Sequence, residues 1–490
     1  MANTLWYGDN LDVLRQHIGT ASVDLVYLDP PFKSDAQYNV LFRSHSGDAA
    51  RAQVQAFDDT WTWGPQALEA YDQIIGGGAP PHVADTVGAL RKILGTSDML
   101  AYIVMMAPRL VELRRVLKPT GSIYLHCDAT ASHYLKVLMD AVFGGDNFRR
   151  EVIWRSGWIS GFKARATNWA RNHDVLLYYL RDQKSGFTFN KDLAYKPHAA
   201  GYARRGGGGS EKGVAMDDVW NEPDDEWPED IWDEVALYSP WIKSFSKEKL
   251  GYKTQKPVAL LERIIAISSN RGEVVLDPFC GCGTTIAAAQ KLDRQWIGID
   301  VTYIAIDLIE KRMRHLYEDS AFETHGVPRD IEGARAFFTE NAFDFERWAV
   351  SLVNGHPNEK QVGDKGIDGR IRFFRTYGGG GEEPEVGTCL VSVKGGAINP
   401  GFVRDLRGTV EREHADMGAM VTLLRPTPGM QEEAKAAGSY VHPATGNSYP
   451  RLQLITVDRL LNGASLSMPT TINPYIEADR QAMDVPLPGM

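Results

Sequence analysis

Apolar residues in this chain fall into two recurring patterns. Short, nearly continuous runs at Val23 to Leu28, Ser122 to His126, Val274 to Leu276 and Gln295 to Ile299 read as strands buried in a parallel sheet. Glu151 to Trp154 and His173 to Tyr179 read as further strands. Between them lie stretches at helical spacing. From Met99 to Leu117, the residues Met105, Leu110, Leu113 and Val116 share one helical face, with a kink expected at Pro108. A helix from Ala129 to Phe143 follows. Strands alternating with helices predict a doubly wound, largely parallel α/β sheet of Rossmann-like type. The stretch from Phe32 to about Asp98 is poorly patterned, with Gly76 to Pro81 reading as a loop and Trp61 and Trp63 best placed in a local core. Residues 155–250 interrupt the alternation. The pattern restarts with a helix over Phe343 to Val353 and a strand over Cys389 to Lys394. The expected domains are therefore 1–320, with 155–250 inserted, a linker over 321–339, a smaller α/β domain over 340–465 and a proline-rich tail over 466–490.

The polar residues that end these runs carry the chemistry. Val274-Val-Leu276 stops at Asp277-Pro278-Phe279, and Gly281-Cys282-Gly283 then opens a helix at Thr284 and Thr285. A strand–glycine turn–helix lets a ligand approach the backbone, because glycine lacks the Cβ that would block it. The next strand stops at Asp300, where an acid can accept hydrogen bonds from both hydroxyls of a ribose. Together they suit an adenosine-containing small molecule, although a glycine turn also serves as an ordinary tight turn. Far away, Val23 to Leu28 stops at Asp29-Pro30-Pro31-Phe32. Two prolines stiffen that segment and remove both backbone donors. A carboxylate, a rigid carbonyl and an aromatic face then stand together, a set that suits a planar base with an exocyclic amino group.

Composition changes this picture little. The hydrophobic fraction is 43% and the charged fraction 24%, as in ordinary globular proteins, and no apolar stretch is long enough to span a bilayer. The N-terminus shows no signal-peptide pattern. Four scattered cysteines (Cys127, Cys280, Cys282, Cys389) make neither a disulfide framework nor a zinc knuckle, so a cytoplasmic protein with reduced thiols is expected. The net charge of −10 argues mildly against nucleic acid. However, Lys and Arg concentrate between Arg149 and Lys212, with Trp158, Trp169 and Tyr202 among them, while acids bunch from Asp217 to Glu234. Basic residues interleaved with aromatics suit phosphates and unstacked bases.

Asp-Pro-Pro-Phe at 29–32, followed much later by Asp-Pro-Phe-Cys-Gly-Cys-Gly-Thr-Thr at 277–285, resembles the amino-methyltransferases of DNA in their permuted "beta" order, catalytic half first and cofactor half second. The resemblance covers most of residues 1–320. It implies S-adenosylmethionine as cofactor and double-stranded DNA as partner, with no membrane and the option of a homodimer left open. It places Asp29, Pro30, Pro31 and Phe32 at the reacting base. On the cofactor it places Asp9, Asp277, Phe279, Gly281, Gly283, Thr284, Thr285 and Asp300, with Lys256 and Pro257 on a loop over its methionine end. Asp9 or Asn10 equally suits a helix cap, and Pro257 a helix start. Residues 155–250 would be the target-recognition segment. An aspartate before Pro-Pro goes more often with N6 of adenine than with N4 of cytosine in such enzymes, and both remain open here. So does a DNA-binding protein whose cofactor merely tunes affinity.

In the last third, Asp368 at the end of one predicted strand and Lys394 on the next are the parts of a Mg²⁺ phosphodiesterase site, Asp368 on the metal and Lys394 orienting water. With Glu346 on the leading helix, the segment resembles the Mrr-like branch of the PD-(D/E)xK nucleases. Where that family carries Glu or Gln this chain has Ser392, a weak ligand for Mg²⁺. The expectations are a DNA-cleaving partner domain or one that binds without cutting, and a polar hairpin turn would also explain Asp364 and Asp368.

Overall fold

In the computed structural model, residues 3–31, 62–155, 172–196, 214–220, 255–317, 321–358, 366–376 and 385–472, with 167 and 169, are described. They fall into two compact units. The first holds those up to Val301 and Arg312–His325, the second Thr302–Lys311 and those from Gly326 onward.

The first unit begins with β1 (Asn3–Tyr7), α1 (Asn10–His17) and β2 (Val23–Leu28). Helices α2 (Pro65–Gln73), α3 (Pro81–Leu94) and α4 (Asp98–Val116) follow, then β3 (Leu117–Cys127), α5 (Ser132–Phe143), β4 (Phe148–Arg155) and β5 (His173–Leu180). A short ribbon of β6 (Tyr195–Lys196) and β7 (Val214–Ala215) precedes β8 (Val219–Trp220). The cofactor half supplies α6 (Val258–Ser268), β9 (Val274–Asp277), α7 (Thr284–Lys291), β10 (Gln295–Asp300) and β11 (Phe322–His325); α8 (Tyr303–Leu316), between the last two, is divided, its residues up to Lys311 counting with the second unit. One nine-stranded sheet runs β11-β1-β10-β9-β2-β3-β5-β4-β8, parallel from β11 to β3 and antiparallel on both sides of β5. The two halves of the chain meet where β2 pairs with β9 in parallel, Leu25 with Val275 and Val26 with Leu276.

Burial explains why these runs are strands. Every residue of β2 and β9 is buried, so the sheet is covered on both faces at its centre. Each fully buried Leu or Val contributes about 1.5–3 kcal/mol, which outweighs one polar residue in the strand only if that residue is paired. Asp24 is paired. Its carboxylate accepts from Lys118 Nζ at 2.8 Å and from the Val274 amide at 2.9 Å, locking the starts of β2, β3 and β9. Helix α4 continues past Pro108 as one helix and is buried along most of its length, Leu100, Ile103, Leu110 and Leu113 included.

The structure departs from the sequence expectations in places. The poorly patterned region holds helices from Pro65 onward, and the break between α2 and α3 falls at the expected glycines, where Gly77 takes φ +104°. Trp63 is half-buried with Arg91 over its ring. The stretch expected as a linker, 321–339, is ordered structure. Phe322–His325 forms edge strand β11, too polar to show a strand pattern, and a helix begins at Ile331, capped by Asp330 accepting from the Gly333 amide at 2.7 Å. Asp368 precedes its strand rather than ending it. Phe32, Trp61, Lys163, Arg165, Arg171, Trp158, Tyr202, Gly206 to Gly209, Lys212, most of the acidic run, Asp364, Gly378 to Gly381 and the tail from 473 lie outside the described residues.

The second unit carries α9 (Ile331–Glu340), α10 (Ala342–Ser351), β12 (His356–Pro357), β13 (Gly369–Phe374) and β14 (Val386–Lys394). Then come α11 (Pro400–Arg412), β15 (Met417–Thr422), α12 (Pro428–Ala436), the hairpin of β16 (Ser439–Val441) and β17 (Ser448–Pro450), β18 (Leu452–Thr456), α13 (Val457–Leu461) and β19 (Thr471–Ile472). Its mixed sheet runs β12-β13-β14-β15-β18, with β19 on β13. Among the described residues no helix is long and apolar enough to cross a membrane.

Candidate active site

The β2–β9 pairing decides the site. Both strands run the same way, so Asp29, just past β2, and Asp277, the last residue of β9, emerge side by side at the C-terminal ends of two central strands. Asp300 ends β10, the next strand over. Three distant carboxylates thus gather at one place. Asp277 is 3% exposed. Burial pushes its carboxyl up to about 7; the Thr285 hydroxyl and Phe279 amide oppose this, and the Asp29 and Asp300 carboxylates add to it.

The glycine turn is built around these acids. Gly281 and Gly283 take φ +48° and +75°, a left-handed backbone that residues with a Cβ adopt rarely, and Gly283 caps α7. The Gly281 amide donates to Asp300 Oδ2 at 2.9 Å, and the Phe279 amide to Asp277 Oδ1 at 3.0 Å. Thr284 and Thr285 are buried in the first turn of α7, and Phe279 packs partly buried against the core. Cys280 and Cys282 are buried, with burial raising both thiols, which suits packing rather than reactivity. A backbone turned open by glycine among three carboxylates fits a ligand that brings hydroxyls and a positive centre.

Asp9 caps α1, accepting from the Leu11 amide at 2.7 Å, and its other oxygen accepts from Arg109 at 2.7 Å. Arg109 is buried within α4 and donates through Nε to Asn10 Oδ1 at 2.6 Å, while Asn10 Nδ2 donates to the Pro278 carbonyl at 2.7 Å. One buried guanidinium therefore ties the first turn of the chain to the Asp277-Pro278 elbow. Burial lowers its pKa and the Asp9 carboxylate opposes that shift. Lys256 forms an ion pair with Asp29, and Pro257 is the N-cap residue of α6. Pro30 and Pro31 follow Asp29 directly; Phe32 is outside the described residues.

Sequence reasoning missed Arg109, whose one signal was a charged residue amid apolar helix positions. It also missed a buried chain beside Asp29. Leu28 pairs with Leu125, so His126 is the neighbour of Asp29 across β2 and β3. His126 Nδ1 lies 2.8 Å from the Tyr27 hydroxyl, and Nε2 lies 3.6 Å from Asp174.

In the second unit Asp368 and Lys394 come together without making a metal site. Asp368 Oδ2 accepts from the Val393 amide at 2.6 Å and stands 3.8 Å from Lys394 Nζ, while Lys394 donates to the Val393 carbonyl at 2.9 Å. Ser392 is buried and Glu346 half-buried on α10. Among the described residues no group of three or more His, Cys, Asp or Glu side chains could hold a metal ion. With a Asp368 oxygen bonded to an amide and a neutral serine in the second position, these residues do not fit Mg²⁺.

The first unit is thus a Rossmann-like methyltransferase domain. More particularly, the chain belongs to the N6/N4 DNA methylase family, whose model matches residues 23–311. A second model, the NACHT-associated inactive restriction endonuclease, matches residues 342–462. The chain is 25% identical over 359 residues to the type II methyltransferase M.EcaI of Enterobacter cloacae, covering 63% of this chain and 68% of that one. It is 27% identical over 333 residues to M.HinfI of Haemophilus influenzae, covering 67% and 71%. Among solved structures, the M1.HpyAVI–SAM complex matches at 17% identity and a TM-score of 0.34, covering 63% of this chain and 98% of that one. The cytosine-N4-specific PvuII DNA methyltransferase matches at 11% and 0.36, covering 66% and 95%.

Proposed function

We propose that this chain moves a methyl group from S-adenosylmethionine to the N6 amino group of adenine in duplex DNA, as the modification activity of a restriction–modification system. The observation that carries this reading is the parallel pairing of β2 with β9, which puts Asp29 beside the glycine turn. The type II methyltransferases among the relatives support the setting. When bound, S-adenosylmethionine supplies an electrophilic methyl on a sulfonium. Asp300 and the Gly281–Gly283 turn would hold its adenosine end, with Asp9, Asp277, Phe279, Thr284 and Thr285 around it and Lys256 and Pro257 at the methionine end.

An adenine amino nitrogen is a poor nucleophile because its lone pair is delocalised into the ring. Asp29 and the Pro30 carbonyl would each accept one of its N–H bonds, drawing the nitrogen toward tetrahedral geometry and freeing the lone pair. Phe32 would stack on the base. The base must leave the duplex, at a cost of roughly a few kcal/mol, which contacts from the basic segment to the DNA backbone would offset. The second unit, with Asp368 capped by its own sheet and Ser392 buried, would contact DNA without cutting it.

Mass spectrometry of nucleosides from cells expressing the chain tests the reading. N6-methyladenine is the expected product; N4-methylcytosine would replace the target assignment, and no modified base would defeat the proposal. Sequencing of modified bases in the same DNA gives the recognition site.

A further inference from the structure

We propose that Lys256 is a positioning residue that latches Asp29: its ammonium occupies the carboxylate until the cofactor's own carboxylate draws it away. This rests on reading the cleft as a methyltransferase site. Lys256 and Asp29 stand 227 positions apart in sequence, yet their side chains meet beyond the C-terminal end of central strand β2, 11% and 17% exposed. The lysine is held on both sides, by Gln255, which is 5% exposed, and by Pro257, which fixes the entry into α6. Its ammonium also acts electrostatically on Cys282 in the glycine turn, so it lies between the two halves of the site.

Competition between donors explains the consequence. An ammonium-to-carboxylate bond is roughly twice as strong as one from a neutral amino group, so an adenine N–H does not displace Lys256 from Asp29 Oδ2. A second carboxylate competes on equal terms. S-adenosylmethionine carries one, and adenosine binding at Asp300 and Gly281 would deliver it to the same cleft. Asp29 then becomes available to a base only when the methyl donor is in place. Capture of a base that could not be methylated is avoided.

Calorimetric titration of the full chain with S-adenosylmethionine, without DNA, tests this in a double-mutant cycle of Asp29→Asn and Lys256→Gln. The cycle matters because Asp29→Asn also removes a charge that attracts the sulfonium. The Lys256→Gln background isolates that effect. We expect Asp29→Asn to favour cofactor binding about 5–10-fold more when Lys256 is present than when it is absent. Lys256→Gln alone weakens binding. Lys256→Met, which keeps the aliphatic stem, must return the same coupling and serves if the glutamine variant fails to fold. Coupling within twofold of unity, or of opposite sign, means that Lys256 stays on Asp29 in the loaded enzyme and overturns the latch alone. Failure of the unmodified chain to bind S-adenosylmethionine overturns both the latch and the methyltransferase reading.

Discussion

Asp29 with Lys256 and Asp368 with Lys394 are the same two residue types paired in two different units, and their surroundings give them different chemistry. Asp29 stands past the C-terminal end of a central strand with Asp277 and Asp300 nearby and a glycine turn alongside. Its partner lysine comes from a separate segment, next to the start of α6. Asp368 is bonded to the amide of Val393, one residue from Lys394, within the sheet it adjoins. In the first unit the carboxylate sits among other acids and a lysine from a distant segment. In the second it completes a hydrogen-bond pattern of the backbone. Residue types alone do not make a site; the groups around the carboxylate do.

This contrast can be broken by mutation. Asp29→Ala should lower single-turnover methyl transfer by about 10²–10³-fold while thermal unfolding hardly moves, as measured with labelled cofactor. A loss of less than tenfold would remove Asp29 from the reaction. Next in size, Arg109→Met should destabilise the first unit by about 3–5 kcal/mol in urea, because it breaks a buried pair and strands Asn10 and Asp9. Unchanged stability would show that the Asn10–Pro278 contact holds unaided.

A third test uses pH. Asp277 in the folded chain binds its proton up to about 7, above the ordinary carboxyl value near 4, so between those values the folded state holds more protons than the unfolded one. Stability should therefore fall as pH rises from about 4 to 7 and level off above. Asp277→Asn should flatten that slope in denaturant titrations across the range. The smallest effect is expected in the second unit. Asp368→Asn should leave methyl transfer unchanged and cost about 1 kcal/mol through the Val393 contact, with no Mg²⁺-dependent cleavage before or after. Cleavage that depended on Asp368 would erase the distinction between the two pairs.

The sheet and its acid-terminated strands were legible because fully buried parallel strands leave continuous apolar runs, and because Asp29 and Asp277 interrupt them abruptly. The glycine turn was legible for the same local reason. What the sequence concealed is non-local or polar. β11 is an edge strand of mixed exposure and has no apolar run to betray it. Arg109 acts on residues about a hundred positions away, so its spacing carries no signal. The Lys256–Asp29 pair joins segments 227 positions apart, and no local pattern records it. Ser392 was visible as a departure, but only the structure shows it buried.

The side-by-side placement of β2 and β9 also governs how the protein is made. Residues near 25 find their partners near 275, with Asp24 bonded to Val274 and Asn10 to Pro278. A nascent chain on the ribosome must therefore carry its first strands without their central neighbour until more than half of the polypeptide has emerged. Closure of so long a loop is slow and leaves a sheet edge unpaired meanwhile. Co-translational assembly of the cleft is thus among the last events in synthesis of the first unit, and a chain cut short before β9 would own the base-facing aspartate but no place for a methyl donor.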